Sequence, residues 1–188
     1  MDAASQYALA YALTTTAGVR AVLSLAFVSV ALHLGFLHAP PGFGWLAATG
    51  AMWSLVGIAV VEILADKVPL LDHAMHAVQV VVKPAAAAIL VGGSVHAQSY
   101  ETLAVLMVLG ALNALGVHAA IASIRGISTV ATAGTANPMI STVEDGGAVG
   151  SLVLAFLAPF VAAAIALVFS IALFIIARST YRRVRARR

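Results

Sequence analysis

This chain encodes an all-α, polytopic membrane protein. Of its 188 residues 62% are hydrophobic and 9% charged, its mean hydropathy is +1.04, and long apolar tracts recur along its whole length. An ordinary soluble domain carries about a quarter charged residues. A hydrocarbon core takes about 20 residues of helix to cross, and the tracts recur too often to be a single signal peptide. The third observation is where the charge sits. Six of the ten basic residues (Arg178, Arg182, Arg183, Arg185, Arg187 and Arg188) fall in the last eleven positions, directly after the apolar run "LVFSIALFIIA". Basic residues close to the end of a span favour the cytoplasmic side. The tail therefore reads as a topology anchor touching anionic headgroups, which makes membrane lipids rather than nucleic acid the expected partner.

The elements follow in order. "ASQYALAYAL" reads as a short apolar half-helix, "TTTAGVR" (14–20) as a polar break, and Ala21 to His38 as a span. "APPGFG" is a proline and glycine turn. A second span runs from Trp45, an interfacial anchor, to Leu64. After the polar "ADKVPLLDH" comes a third, "HAVQVVVKPAAAAILVGGSV", carrying Lys83 and Pro84. A fourth, Thr102 to Ile124, holds Gly110, Ala114 and Gly116, where a neighbouring helix can approach closely. The last apolar tract, Ala148 to Ala177, is overlong and must tilt or bend near Pro159. The expectation is about five spans plus two interrupted or re-entrant segments, with residues 1–177 forming one membrane domain and 178–188 a basic tail. The C-terminus is expected inside and the N-terminus outside a bacterial inner membrane.

Between the last two spans lies "RGISTVATAGTANPMISTVEDGG" (125–147), which combines an arginine, two adjacent carboxylates, small hydroxyl residues, glycines and a proline. Backbone freed by Gly126, Gly134, Pro138, Gly146 and Gly147 goes unpaired in hydrocarbon, so the segment is either an aqueous loop or a re-entrant element lining a cavity. Its small hydroxyls and lack of lysine favour the second. "TTTAGVR" repeats that chemistry beside Arg20. The order glycine–arginine, carboxylates, then a proline–alanine span recurs as Arg20, Glu62, Asp66, Asp72, Pro84 and as Arg125, Glu144, Asp145, Pro159. This suggests half-repeats 1–98 and 99–177, an inverted duplication of the kind used by secondary transporters.

Charge inside a bilayer costs several kcal/mol unless paired or hydrated. Arg20 and Arg125, with the hydroxyls of Thr15, Thr16, Ser128, Thr132 and Thr135 and the amide of Asn137, offer a cradle for an anion. Glu62, Asp66, Asp72, Glu144 and Asp145 can pair with the arginines or carry a coupling proton or ion. The alternative reading of these charges is that they only lock helices together. Asp72 and His76 are spaced to share one helix face, but two ligands make no metal site. His33, His38, His96 and His118 stand near span ends. The chain has no cysteine, no HExxH, no phosphate-binding loop and no nucleophile elbow, so neither a metal, a cofactor nor enzymatic chemistry is expected.

At "LADKVPLLDHAMHAVQVVVKPAAAAIL" and "RGISTVATAGTANPMISTVEDGGAV" the chain resembles a family of small bacterial integral membrane proteins known as domain of unknown function 4126. The resemblance rests on Asp66, Lys67, Pro69 and Asp72, on Lys83 and Pro84, and on Arg125, Ser141, Glu144 and Asp145. The chain departs from that pattern at Gln79, where the family often has histidine, at His76, where it has an acid, and at "TANP", where it has a Ser-Pro-Glu-Pro-like turn. The resemblance implies a membrane fold and importance for the polar segments, and implies no substrate.

The sequence thus predicts a small transporter, a homodimer in which two polar segments meet near mid-membrane. Its substrate is expected to be anionic, either a phosphate-bearing lipid headgroup or a small organic anion, with proton coupling. The rival readings are a cation channel or cation-coupled carrier using the carboxylates, and a non-transporting assembly module docked through its basic tail.

Overall fold

The computed structural model describes residues 1–67 and 69–185, the side chains of 69–76, 177 and 180–185 excepted. Its regular structure is helical: α1 (Ala3–Val19), α2 (Ala21–His33), a single 3-10 turn (Gly44–Ala47), α3 (Thr49–Ala65), α4 (Pro69–Ser94), α5 (Tyr100–Thr132), α6 (Asn137–Leu157) and α7 (Pro159–Arg185). Four stretches are long and apolar enough to cross a membrane: Ala77–Ser94 within α4, α5, α6, and Pro159–Ile176 within α7. The helices α2 and α3 are apolar but shorter. The described residues thus form seven α-helices, four of them long and apolar enough to span.

The polarity of a soluble protein is inverted. Val81, Trp53, Val61, Val108, Val168 and Phe174 are exposed, while Arg20, Glu62, Asp66, Lys83, His118 and Arg125 are buried. That distribution is stable only where the surroundings are hydrocarbon and the interior supplies partners for the charges.

The central helix is α1, which packs against α2, α4, α5, α6 and α7. Its Leu9 and Leu13 are fully buried. Close approach is permitted by glycine. At Gly18 a Cβ would lie 2.6 Å from Val117 Cβ and 2.8 Å from the Ala114 carbonyl oxygen, and at Gly110 one would lie 2.9 Å from Thr14 Cγ2. Gly110 and Ala114 therefore do serve a helix crossing, whereas Gly116 faces open space.

The predicted break at 14–20 contracts to a single residue. Thr14, Thr15 and Thr16 are helical because their hydroxyls donate to the carbonyls of Tyr11, Tyr11 and Ala12, which satisfies them inside the helix. Arg20 alone is extended, at φ −133° and ψ 96°. Contacts set the direction of the two arms. Gln6 near the start of α1 accepts from the His96 N–H, and Ser29 near the end of α2 donates to the Leu46 carbonyl, with Leu46 packed against Gly93. Both arms thus run towards the end of the bundle that holds the C-terminus of α4, and α1 and α2 form a V with Arg20 at its apex.

A second V is formed by α6 and α7. The overlong tract does bend beside Pro159: Ala158 is non-helical at φ −148° and ψ 74°, and Pro159 opens α7, a position where its missing N–H costs nothing. By contrast Pro84 lies inside the unbroken α4, so the two proline–alanine tracts occupy different structural places. The segment 125–147 is neither an extended loop nor an irregular re-entrant coil. It continues α5 to Thr132, turns at 133–136 with Ala133 and Gly134 at positive φ, and enters α6. The basic tail is likewise helical as far as Arg185.

Candidate functional site

The apex of the first V is where the charges converge. Arg20 is 1% exposed and is contacted from the end of α3 and from α6. It forms an ion pair with Asp66 just after α3. Its Nε lies 2.7 Å from Asp145 Oδ1 and its Nη2 3.7 Å from Glu144 Oε2, both on α6. Nη2 also donates to Ser141 Oγ at 2.9 Å and to the Ser141 carbonyl at 3.3 Å. The Arg20–Asp145 approach is an ion pair and not a hydrogen bond, because the Nε–H does not point at the carboxylate.

Arg125 near the end of α5 completes the network. Its Nε donates to Glu144 Oε1 at 3.3 Å, its Nη2 pairs with Glu144 Oε2, and Nη2 lies 3.6 Å from Asp66 Oδ2. Among the described residues, the two guanidiniums are thus held by three carboxylates. Lys67, more exposed, donates to Asp145 at 2.8 Å. The fork of an arginine suits such sharing, since each guanidinium offers five donors in one plane.

Glu62 has a different task. Its Oε1 accepts from the Ala21 N–H at 3.2 Å and its Oε2 from those of Val22 and Leu23 at 3.2 and 3.1 Å. The first N–H groups of a helix lack internal partners, and Arg20, which holds the N-cap position of α2, makes no side-chain capping bond. A carboxylate from α3 therefore caps α2, with its charge at the positive end of the helix dipole.

The network is not in the middle of the bundle. Arg125 stands near the far end of α5, roughly 37 Å along the helix from Tyr100 at a rise of 1.5 Å per residue. The network therefore lies towards the end of the bundle that holds the α5–α6 turn. Leu173 of α7 packs with Val19, Val117 and Ile121, so the basic tail leaves the bundle at this same end.

Next to the network is a cavity of about 270 Å³ between α1, α6 and α7. Thr15, Thr16, Glu144 and Ser151 are its polar lining, and the rest is apolar, including Val19, Leu154, Ile165 and Phe169. Val143 and Ile165 on its rim are exposed, so the cavity opens sideways onto the apolar surface.

Of the residues singled out in the sequence, the structure brings together Arg20, Asp66, Arg125, Glu144 and Asp145, with Glu62 one helix turn from Asp66 and Thr15 and Thr16 on the cavity wall. It does not bring Ser128, Thr132, Thr135 and Asn137 to the arginines. Thr132 donates to the Ser128 carbonyl, Thr135 to the Thr132 carbonyl and Asn137 to Thr129 Oγ1, all bonds that close the α5–α6 turn. The side chain of Asp72, like those of His73 and His76, lies outside the described residues. Ser141 and Lys67, marked in the sequence by the family resemblance, join the network, and Asn113, whose amide donates to both Thr14 and Thr15, was not anticipated. A further buried pair, Lys83 and His118, joins residues that stand in separate apolar tracts of the sequence.

Fold and site together define a helical membrane protein with a buried, internally compensated ion network. The chain matches the family described as domain of unknown function (DUF4126) over residues 7–179, and it belongs to that family. No curated protein and no solved structure matches it.

Proposed function

We propose that this protein is a small membrane carrier for a phosphate-bearing lipid, with the anionic headgroup taken by Arg20 and Arg125 and proton uptake accompanying transport. The observation that carries this reading is the adjacency of the arginine network to a laterally open, mostly apolar cavity with Glu144 on its wall. An amphiphilic anion suits both parts, its apolar body in the cavity and its charge at the guanidiniums, while a small hydrophilic anion gains nothing from the apolar wall. Glu144 then acts as the substrate's internal competitor. It neutralises Arg125 when the site is empty, and its protonation or displacement lets a phosphate take the fork.

The two single-residue helix breaks lie towards opposite ends of the bundle. Arg20 lies at one end of the bundle, and Ala158 lies 14 residues of α6, about 21 Å of helix, beyond Glu144 towards the other. With the basic tail in the cytoplasm of a bacterium, the network faces the cytoplasmic leaflet, where anionic lipids are concentrated.

The test is reconstitution into liposomes with a fluorescent phosphate-bearing lipid in one leaflet, its transfer read by an impermeant quencher with and without a proton gradient. Transfer is expected with wild type, at least tenfold less with Arg125→Ala, and partial recovery with Arg125→Lys. Equal transfer by wild type, Arg125→Ala and protein-free liposomes overturns the reading and leaves the charges as helix locks.

A further inference from the structure

Away from the arginine network, Lys83 of α4 and His118 of α5 meet inside the bundle, with Nζ 3.0 Å from Nδ1 and each residue 3% exposed. A lysine ammonium carries no lone pair, so it donates and the His118 Nδ1 lone pair accepts, which places the ring proton on Nε2. Opposite a charged Lys83, the neutral imidazole is the form of His118 that this contact tolerates.

The surroundings hold the arrangement in place. Glu62 of α3 and Glu144 of α6 attract Lys83, and Arg20 and Arg125 repel it, while the side chains of Asp72, His73 and His76 on α4 lie outside the described residues. Pro84, next to Lys83, has no N–H to give the Val80 carbonyl. This makes α4 pliable at the level of the pair. Gln79, one turn before Lys83, is buried, and its Nε2 makes no hydrogen bond among the described residues.

We propose that the Lys83–His118 pair is a proton-binding site that sets the spacing of α4 and α5. A proton from water adds to the His118 Nδ1 lone pair, the Lys83 N–H···N bond is lost because its acceptor is consumed, and two cations then face each other in a poorly hydrated interior. Repulsion at such a distance in a low-dielectric setting is severe, so Lys83 swings away and α4 moves at the Pro84 level. The carboxylates next to the arginines need not change protonation for this step. The site refines the proton coupling proposed above, but it is read without substrate, so its failure and the failure of lipid transport are separate results.

Because the natural chain has no cysteine, nitroxide labels on Val81→Cys and Ile127→Cys, both exposed positions, report the distance between α4 and α5 without background. In lipid nanodiscs the distance distribution is expected to change between about pH 8 and about pH 5, the range in which histidine changes charge. His118→Gln keeps an acceptor for Lys83 yet takes no proton, and should hold the pH 8 distribution throughout. Lys83→Met should also abolish the response. A response that survives in His118→Gln, or a parent protein with none, overturns the proposal. Nitrogen NMR of selectively labelled histidine in the unsubstituted protein provides a second reading: His118 should carry its proton on Nε2 alone at pH 8 and on both nitrogens at pH 5, and a ring that stays neutral at both overturns it equally.

Discussion

Arg20 and Asp66 stand 46 positions apart in the chain and form an ion pair with side chains 1% and 3% exposed. The pair joins the break between α1 and α2 to the end of α3, and removing either partner leaves the other a buried charge that Asp145 and Glu144, or Arg125, compensates less closely. Breaking a buried pair from one side costs more than the pair is worth, because the surviving charge remains desolvated.

Arg20→Met and Asp66→Leu should therefore each destabilise the protein by about 3–5 kcal/mol, with the double variant well short of their sum. Unfolding in mixed micelles by a denaturing detergent measures all three. Additive costs would show that the two side chains do not act as a unit.

Glu62→Ala leaves the N–H groups of Ala21, Val22 and Leu23 without their acceptor, and should cost about 3 kcal/mol, since a buried unsatisfied donor costs about 1–3. Glu62→Gln retains one carbonyl oxygen and should cost visibly less. Amide exchange should rise at residues 21–23 first, ahead of the rest of α2. Unchanged exchange there speaks against the capping role.

Gly18→Ala forces a Cβ against Val117 and the Ala114 carbonyl, where the backbone oxygen cannot give way as a side chain could. A loss of about 1–3 kcal/mol is expected, the usual cost of overpacking. Gly116→Ala, on the same α5 but facing open space, is the control and should be neutral or slightly stabilising. Equal effects at the two positions would refute the close crossing of α1 and α5.

Lys67→Ala should change stability by less than about 1 kcal/mol, and less again at high salt, because Lys67 is 38% exposed and solvent screens its pair with Asp145. A thermal unfolding series in salt separates it from Arg20. A cost as large as that of Arg20→Met would place Lys67 inside the buried network.

Much of this architecture can be read from local composition. Hydropathy averaged over neighbouring residues marks a helical membrane protein, and the scarcity of charge makes Arg20, Asp66, Arg125, Glu144 and Asp145 conspicuous before any fold is known. The bend at Pro159 is equally local, because proline lacks the N–H that would continue the helix. Thr14 to Thr16 misled for the opposite reason. Hydroxyls look polar in a sequence, yet each returns its hydrogen bond to its own helix, so the break shrank to Arg20.

Which charge meets which partner was not legible, because pairing across 19 positions (Arg125 to Glu144) to 125 (Arg20 to Asp145) depends on how α1, α3, α5 and α6 pack, and no local average contains that. Glu62 looks like Asp66 in the sequence, but one caps α2 and the other holds two arginines, since the end of α3 presents them to different neighbours. Lys83 and His118 looked like unrelated residues of separate spans. Apolar content commits such a chain to the bilayer wherever its polar groups fall, whereas the partners of those groups follow from helix packing alone, because in hydrocarbon every buried charge must find its compensation inside the fold.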